Sequence, residues 1–250
     1  KMLLKSNFSQ VVLITNELHR ILELHFSIKI SKVNILSDAA PSGITPLKDQ
    51  IQKKESLKNQ GVSETEFIFS CGYFGHLYEG RGIEVIISLA ELLPNVLFLV
   101  FGGNEEDLKR LSSKNLTSNI RLMGHVDNSL AREIMLAVDC LLMPYQEKVS
   151  IGQKGHDTAR WMSPMKMFEY MATNNPIISS DLPALKEILR NKHNALLVKC
   201  DDVQAWKESV LMLIEDKDLS LNISTKAYQQ YKDLYNWDCR AKSIMQIAKS

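Results

Sequence analysis

Three features of the sequence predict an α/β fold, a parallel sheet with helices on both faces. Short apolar runs alternate with amphipathic stretches along most of the 250 residues, the pattern that builds parallel sheets. Glycine and proline punctuate the alternation, as at Gly61, Pro94 and Gly102-Gly103. The composition, 45% hydrophobic and 24% charged, is ordinary for a globular chain.

Element by element, Val11 to Ile14 reads as a buried strand, Asn16 to Leu24 as a helix and Val33 to Leu36 as a short strand. Residues 38–46, with Pro41, Gly43 and Pro46, form the best linker in the sequence. Leu47 to Gln60 is helical in pattern and stops at Gly61. A longer series follows: strand Phe67 to Phe74, helix Ile83 to Leu93, strand Val96 to Phe101 and a helix opening at Asn104. Short strands are expected at Asn119 to Leu122 and Leu141 to Met143, with the helix Ser129 to Val138 between them. Ile177-Ile178 and Ala195 to Val198 complete the sheet around a helix near Leu185 to Leu189. From Val203 onward the pattern is helical only, two or three helices long. Tyr145 to Met162 has no periodicity and follows a strand end, so it is either a substrate-covering loop or merely a mobile one.

Bulk properties exclude several classes. A formal charge of +1 gives no electrostatic reason to expect nucleic acid as a partner. Cys71, Cys140, Cys200 and Cys239 are widely spaced, as in a reduced cytosolic chain, and neither they nor the histidines have metal-ligand spacing. No apolar run reaches the roughly 18 residues of a membrane span. The chain opens on Lys1 and its first residues lack a signal-peptide layout, so a fragment of a longer protein is expected.

Three segments could carry chemistry. Gly75 to Gly82 follows a strand and opens a helix, and its glycines permit close backbone approach to a ligand. Arg81 opposes the helix dipole there unless an anion binds. An exposed arginine in a glycine-rich turn explains the segment equally well. Gly102 to Asp107 looks similar, but its three carboxylates already satisfy the dipole and would repel phosphate, so the structural reading wins for that helix start, while the two glycines still leave room for a ligand to pass close by. In the third, Ser163 is a good N-cap, Pro164 fits the first helical position and Lys166 again has the wrong sign for a first turn. Glu169 shares a face with Lys166, while Met165, Phe168 and Ala172 suit a packed face. A surface Lys-Glu pair worth about 0.2–0.5 kcal/mol is the competing account, and the two are close on chemistry alone.

Taken in order, these segments resemble the retaining glycosyltransferases of the B-type fold, group 1 or family 4-like, with two Rossmann-like domains. The match runs from about Phe69 to Val198. Gly75 to Gly82 resembles the Gly-Arg-Leu…Lys-Gly segment whose basic residues hold the donor diphosphate, with Arg81 at the lysine position. Asn119 to Val126, containing Gly124, His125 and Val126, resembles the turn beside the nucleobase. Ser163 to Ala172 with Asn175 to Ile178, continued by Leu182 to Glu187, resembles the most specific signature of the family.

Carried over by that resemblance, Gly75, His76 and Arg81 join Ser163, Lys166 and the amides around Met165 and Met167 at the diphosphate. Glu169 accepts from the ribose hydroxyls, and Arg81 and Lys166 are the catalytic pair. Two positions depart from the pattern: His76 replaces an arginine, and Trp161 replaces a glutamate that contacts the donor sugar.

The resemblance further implies the C-terminal, donor-binding half of a two-domain glycosyltransferase. Residues 1–38 would be a remnant of the acceptor domain and the start of the linker. Residues 39–225 would be the Rossmann-like domain, and 226–250 helices crossing back. The expected reaction moves a hexose from a UDP- or GDP-sugar to a glycan or lipid-linked acceptor with retention, without cofactor or metal. The expected location is the cytoplasm, with room for peripheral membrane contact through the missing N-terminal domain. Rival readings are a nucleotide-sugar epimerase of the same architecture and a non-catalytic nucleotide-binding domain.

Overall fold

The computed structural model describes residues 10–26, 32–47, 49–62, 67–149 and 157–249. Strand β1 (Val11–Leu13), helix α1 (Asn16–Phe26) and strand β2 (Val33–Ile35) form a small parallel unit at the start of the chain. The linker after it is strapped down rather than loose. Tyr231 Oη donates to Pro41 O at 2.5 Å and Tyr228 Oη to Ile44 O at 3.3 Å. Helix α2 (Gln50–Asn59) starts three residues later than its periodicity suggests, because the Asp49 carboxylate accepts from Gln52 N at 2.9 Å and caps it there.

The main sheet alternates regularly with helices: β3 (Phe69–Phe74), α3 (Ile83–Leu92), β4 (Val96–Phe101), α4 (Glu105–Ser112), β5 (Ile120–Gly124), α5 (Asn128–Ala137) and β6 (Cys140–Met143). It continues with α6 (Met165–Ala172), β7 (Ile177–Ser180), α7 (Pro183–Lys186) and β8 (Leu196–Val198). Helices α8 (Val203–Glu215), α9 (Lys217–Leu234) and α10 (Trp237–Lys249) close the chain. All neighbouring strands are parallel, in the order β5-β4-β3-β6-β7-β8. That is the doubly wound Rossmann-like order, and its direction reverses between β3 and β6. A crevice therefore opens beyond the carboxyl ends of those two strands.

Strand pleating sorts the core into two layers. Leu97, Leu99 and Phe101 face α5, α6 and part of α9, whereas Val96, Phe98 and Val100 face α3 and α8. All six side chains are buried, each contributing about 1.5–3 kcal/mol of apolar burial. Buried amides brace the layers. Asn119 Nδ2 donates to Ala90 O, Leu93 O and Val96 O at 2.9–3.0 Å, and Asn175 Nδ2 to Met135 O at 2.8 Å.

Several boundaries differ from the sequence reading. Asn119 is a brace rather than the first residue of β5. β7 runs on through the buried Ser179 and Ser180, which an apolar run does not reveal. α7 lies two to three residues earlier than expected, because Pro183 starts it. Helix α9 passes unbroken through residues 225 and 226, where the sequence reading divides the chain. The turn comes instead at Tyr235 and Asn236.

Candidate functional site

At the crevice, the strand ends and the turns that follow them enclose a cleft of about 500 Å³, well within the range of small-molecule sites. Its floor is aromatic. Phe74 and Phe101, adjacent at the ends of β3 and β4, stack with centroids 4.8 Å apart and planes 3° from parallel. Tyr170 Oη accepts from Phe74 N at 3.0 Å, which fixes α6 against the end of β3.

The structure gathers Gly75, His76, His125, Val126, Lys166 and Glu169 around this cleft. Gly75 has φ +150°, and a Cβ there would stand 1.8 Å from Lys166 Nζ. The missing side chain is thus the space that the ammonium occupies. Lys166 Nζ also lies 4.6 Å over the Tyr73 ring. Burial, reinforced by nearby Arg81 and only partly offset by Glu169, lowers the Lys166 pKa to about 7. His76, exposed at the rim and stacked on Tyr78 at 4.7 Å, is also lowered by partial desolvation and by Arg81 and Lys166.

Other expected site residues stand elsewhere. Arg81 does not line the cleft but acts electrostatically on Lys166 and His76, its guanidinium 5.2 Å from the Tyr145 ring centroid and its Nε buried without a hydrogen-bond partner. The flanking glycines serve the protein's own backbone rather than a ligand. A Cβ at Gly80 would meet Lys148 O at 1.8 Å, and one at Gly82 would meet Pro144 O at 1.9 Å. With the bond from Gln146 N to Gly80 O at 2.9 Å, they clamp the Arg81 turn to the segment leaving β6. Gly124 accepts from Gly102 N at 2.6 Å and shapes the turn that presents His125. Met167 is buried in the core.

Two expectations about α6 are corrected. Ser163 is not its cap: Pro164 occupies that position, because the Ser163 hydroxyl accepts from Asp38 N at 3.0 Å in the linker. Met165 does not join the packed face, since it is 56% exposed at the helix mouth, and Met167, Phe168 and Met171 fill the core instead. The first turn of α6 consequently has no side-chain cap and no acidic residue. The Met165 and Lys166 amides and the Lys166 ammonium are therefore positioned so that they can receive an anion, whereas the Met167 amide, expected there too, donates to Pro164 O at 2.9 Å. Among the described residues neither Lys166 nor Arg81 forms an ion pair.

The Trp161 backbone carbonyl accepts from Thr15 Oγ1 at 3.0 Å, and its side chain is half-buried. Of the Tyr145 to Met162 loop, residues 150–156 lie outside the described residues. In the part that is described, the Asp157 carboxylate accepts from Val149 N and Ala159 N, each at 2.9 Å. Sequence reasoning missed Tyr73, Tyr145 and Phe101 as site-shaping groups. The available signal was aromatic residues at or just past strand ends.

Among the described residues no group of three or more His, Cys, Asp or Glu side chains could hold a metal ion. None of the helices described is long and apolar enough to cross a membrane.

Residues 69–216 match the family model described as "Glycosyl transferases group 1". The chain is similar to the phosphatidyl-myo-inositol mannosyltransferase of Mycolicibacterium smegmatis, at 23% identity over 171 residues, covering 67% of this chain and 41% of that protein. It is also similar to the processive diacylglycerol alpha-glucosyltransferase of Acholeplasma laidlawii, at 27% identity over 127 residues, 49% of this chain and 34% of the relative. The chain thus spans less than half the length of either relative. Its fold is that of Anabaena HepE, solved in complex with UDP, with a TM-score of 0.78 at 14% identity, covering 96% of this chain and 64% of that one.

Proposed function

Because this chain belongs to the group 1 glycosyl transferases, we propose that it is the donor-binding part of a hexosyltransferase that takes its sugar from a UDP- or GDP-sugar. The observation that carries this reading is the uncapped, cation-bearing start of α6, with Lys166 and Glu169 in one cleft. UDP in the related HepE structure favours the uridine nucleotide.

In this reading the base rests beside Gly124, His125 and Val126. The ribose hydroxyls donate to the Glu169 carboxylate, whose two oxygens suit a vicinal diol. The diphosphate meets the first-turn amides of α6 at Met165 and Lys166 and the Lys166 ammonium, while the expected Met167 amide is already taken by Pro164 O at 2.9 Å. Arg81 adds positive potential without lining the cleft, and His76 closes the rim. As the glycosidic bond breaks, negative charge grows on the departing diphosphate. Preorganised amides and cations then stabilise the transition state more than the bound donor, and no metal is invoked. The acceptor hydroxyl oxygen bonds to the sugar carbon as the bond from that carbon to the diphosphate breaks, its proton leaves with the departing diphosphate, and configuration is retained.

Both named relatives are transferases acting on lipids by name, which favours transfer over epimerisation and favours a lipid-linked acceptor at a membrane surface. Acceptor and remaining catalytic groups would face the cleft from a preceding domain, so this chain alone should bind donor without transferring it.

Calorimetric titration of UDP and GDP against the chain and its Glu169→Ala variant tests the reading. One nucleotide should bind the parent chain and bind the variant far more weakly. Equal affinity for both proteins would remove Glu169 from the site, and detectable turnover by the isolated chain would refute the division of labour.

A further inference from the structure

We propose that binding of a nucleotide sugar in this cleft is coupled to uptake of a proton by Lys166, so that donor affinity falls as the medium becomes alkaline. The proposal rests on the nucleotide-binding reading above and concerns the protonation state of the empty site.

Its basis is the enclosure of one side chain. Lys166 Nζ fills the notch left by Gly75 and covers the Tyr73 ring at 4.6 Å. The groups around the site come from every surrounding element. β3 supplies Tyr73, the turn after it His76 and Arg81, α4 Asp107, and the turn after β5 His125. Tyr145 follows β6, and Glu169 and Tyr170 lie on α6 itself. The phenols of Tyr73, Tyr145 and Tyr170 are pushed up by burial, so they stay neutral and supply no countercharge. Arg81 opposes a second cation, Asp107 acts on His76 and is engaged in capping α4, and only Glu169 favours the ammonium. Near neutrality the empty cleft therefore holds Lys166 in both protonation states. A diphosphate supplies the missing countercharge, and an opposite charge within about 4–6 Å favours the charged lysine. Binding then draws the proton from solvent.

The expected magnitudes follow from linkage. Proton uptake per nucleotide rises with pH through neutrality towards one, and affinity then falls up to about tenfold per pH unit. Uptake at His76, lowered below the ordinary imidazole value by desolvation and then by Arg81 and Lys166, would run the other way and fade as the pH rises.

UDP-glucose and GDP-mannose are suitable probes, because their diphosphates carry no group titrating near neutrality. Titrating each into the chain by calorimetry, in buffers of different ionisation enthalpy at pH 6, 7 and 8, should give uptake that rises with pH. The Lys166→Arg variant, permanently charged, should bind without that rise. The lysine ¹³Cε resonance of the unsubstituted chain gives a second readout, with a titration midpoint near 7 when empty and well above it when saturated. Binding with no proton uptake, or with uptake unchanged in Lys166→Arg and no shifted lysine midpoint, overturns the proposal alone. Failure of both nucleotide sugars to bind overturns it together with the reading beneath it.

Discussion

Helices α4 and α6 open onto the same cleft and are finished in opposite ways. α4 begins with a closed capping box. Asp107 N donates to Asn104 Oδ1 at 2.8 Å and Asn104 N to Asp107 Oδ2 at 3.2 Å, with Glu105 and Glu106 beside them. α6 begins after a proline with no side-chain cap, no acid in its first turn and a half-buried lysine. Satisfying both starts internally would have been the stable choice. Leaving one bare costs about 1 kcal/mol of capping energy, plus the desolvation of Lys166. The two helix starts thus give the cleft a cationic end at α6 and an acidic one at α4.

The contrast can be broken most sharply at Glu169 and Pro164. Glu169→Ala should lower nucleotide affinity by about 2–3 kcal/mol, roughly 30- to 150-fold, with little change in melting temperature, read by calorimetry and thermal unfolding. Giving α6 the finish of α4 by Pro164→Asp should stabilise the fold by about 0.5–1 kcal/mol while weakening nucleotide binding at least tenfold, because the new carboxylate takes the amides that the anion needs.

Lys166→Met should abolish tight binding yet raise stability by about 1–3 kcal/mol near pH 6. The sign follows from the pKa lowered to about 7 in the fold against an ordinary 10.5. Below pH 7 folded and unfolded chains both carry the charge, and only the folded one bears its desolvation. Between pH 7 and about 10.5 the unfolded chain alone keeps the proton, so the parent gains stability as pH rises and the advantage of the variant shrinks. A pH series of unfolding curves for the two proteins checks this. Smallest is Asn104→Ala, which should cost about 1 kcal/mol of stability by denaturant unfolding and far less binding than Pro164→Asp.

Much of this contrast was legible in the residues themselves. Glu105, Glu106 and Asp107 announced a satisfied helix start, whereas Lys166 left the other start ambiguous, with Ser163 read as its cap. The buried strands were equally plain, since runs such as Val96 to Phe101 have one structural solution. What escaped was anything set by contacts distant in sequence. Ser163 has the chemistry of a cap, yet Asp38, 125 residues away, takes its hydroxyl. Gly80 and Gly82 looked like ligand-facing glycines, but the packing that requires them is with Lys148 and Pro144. Glu187 gave no local hint that its carboxylate would accept from the Asn16 and Glu17 amides at 2.8 and 2.9 Å and so cap α1. Periodicity reports which face is buried, whereas partner choice among polar groups is decided only once the chain has folded.

The strapped linker has a mechanical consequence. The chain leaves the β1–α1–β2 unit near Asp38 and comes back to it in α10, where Gln10 Nε2 meets Ile247 O at 2.9 Å and Arg240 meets the carbonyls of Leu36 and Ser37. The outgoing and returning segments are bridged at Ala40, whose N donates to Tyr235 O at 3.0 Å and whose carbonyl accepts from Trp237 N at 3.1 Å. Two covalent crossings meet there, and hydrogen bonds from Thr15 to Trp161, from Asp38 to Ser163 and from Asn16 to Glu187 fasten the same seam, so the small unit is tied to the large sheet by more than its covalent linker.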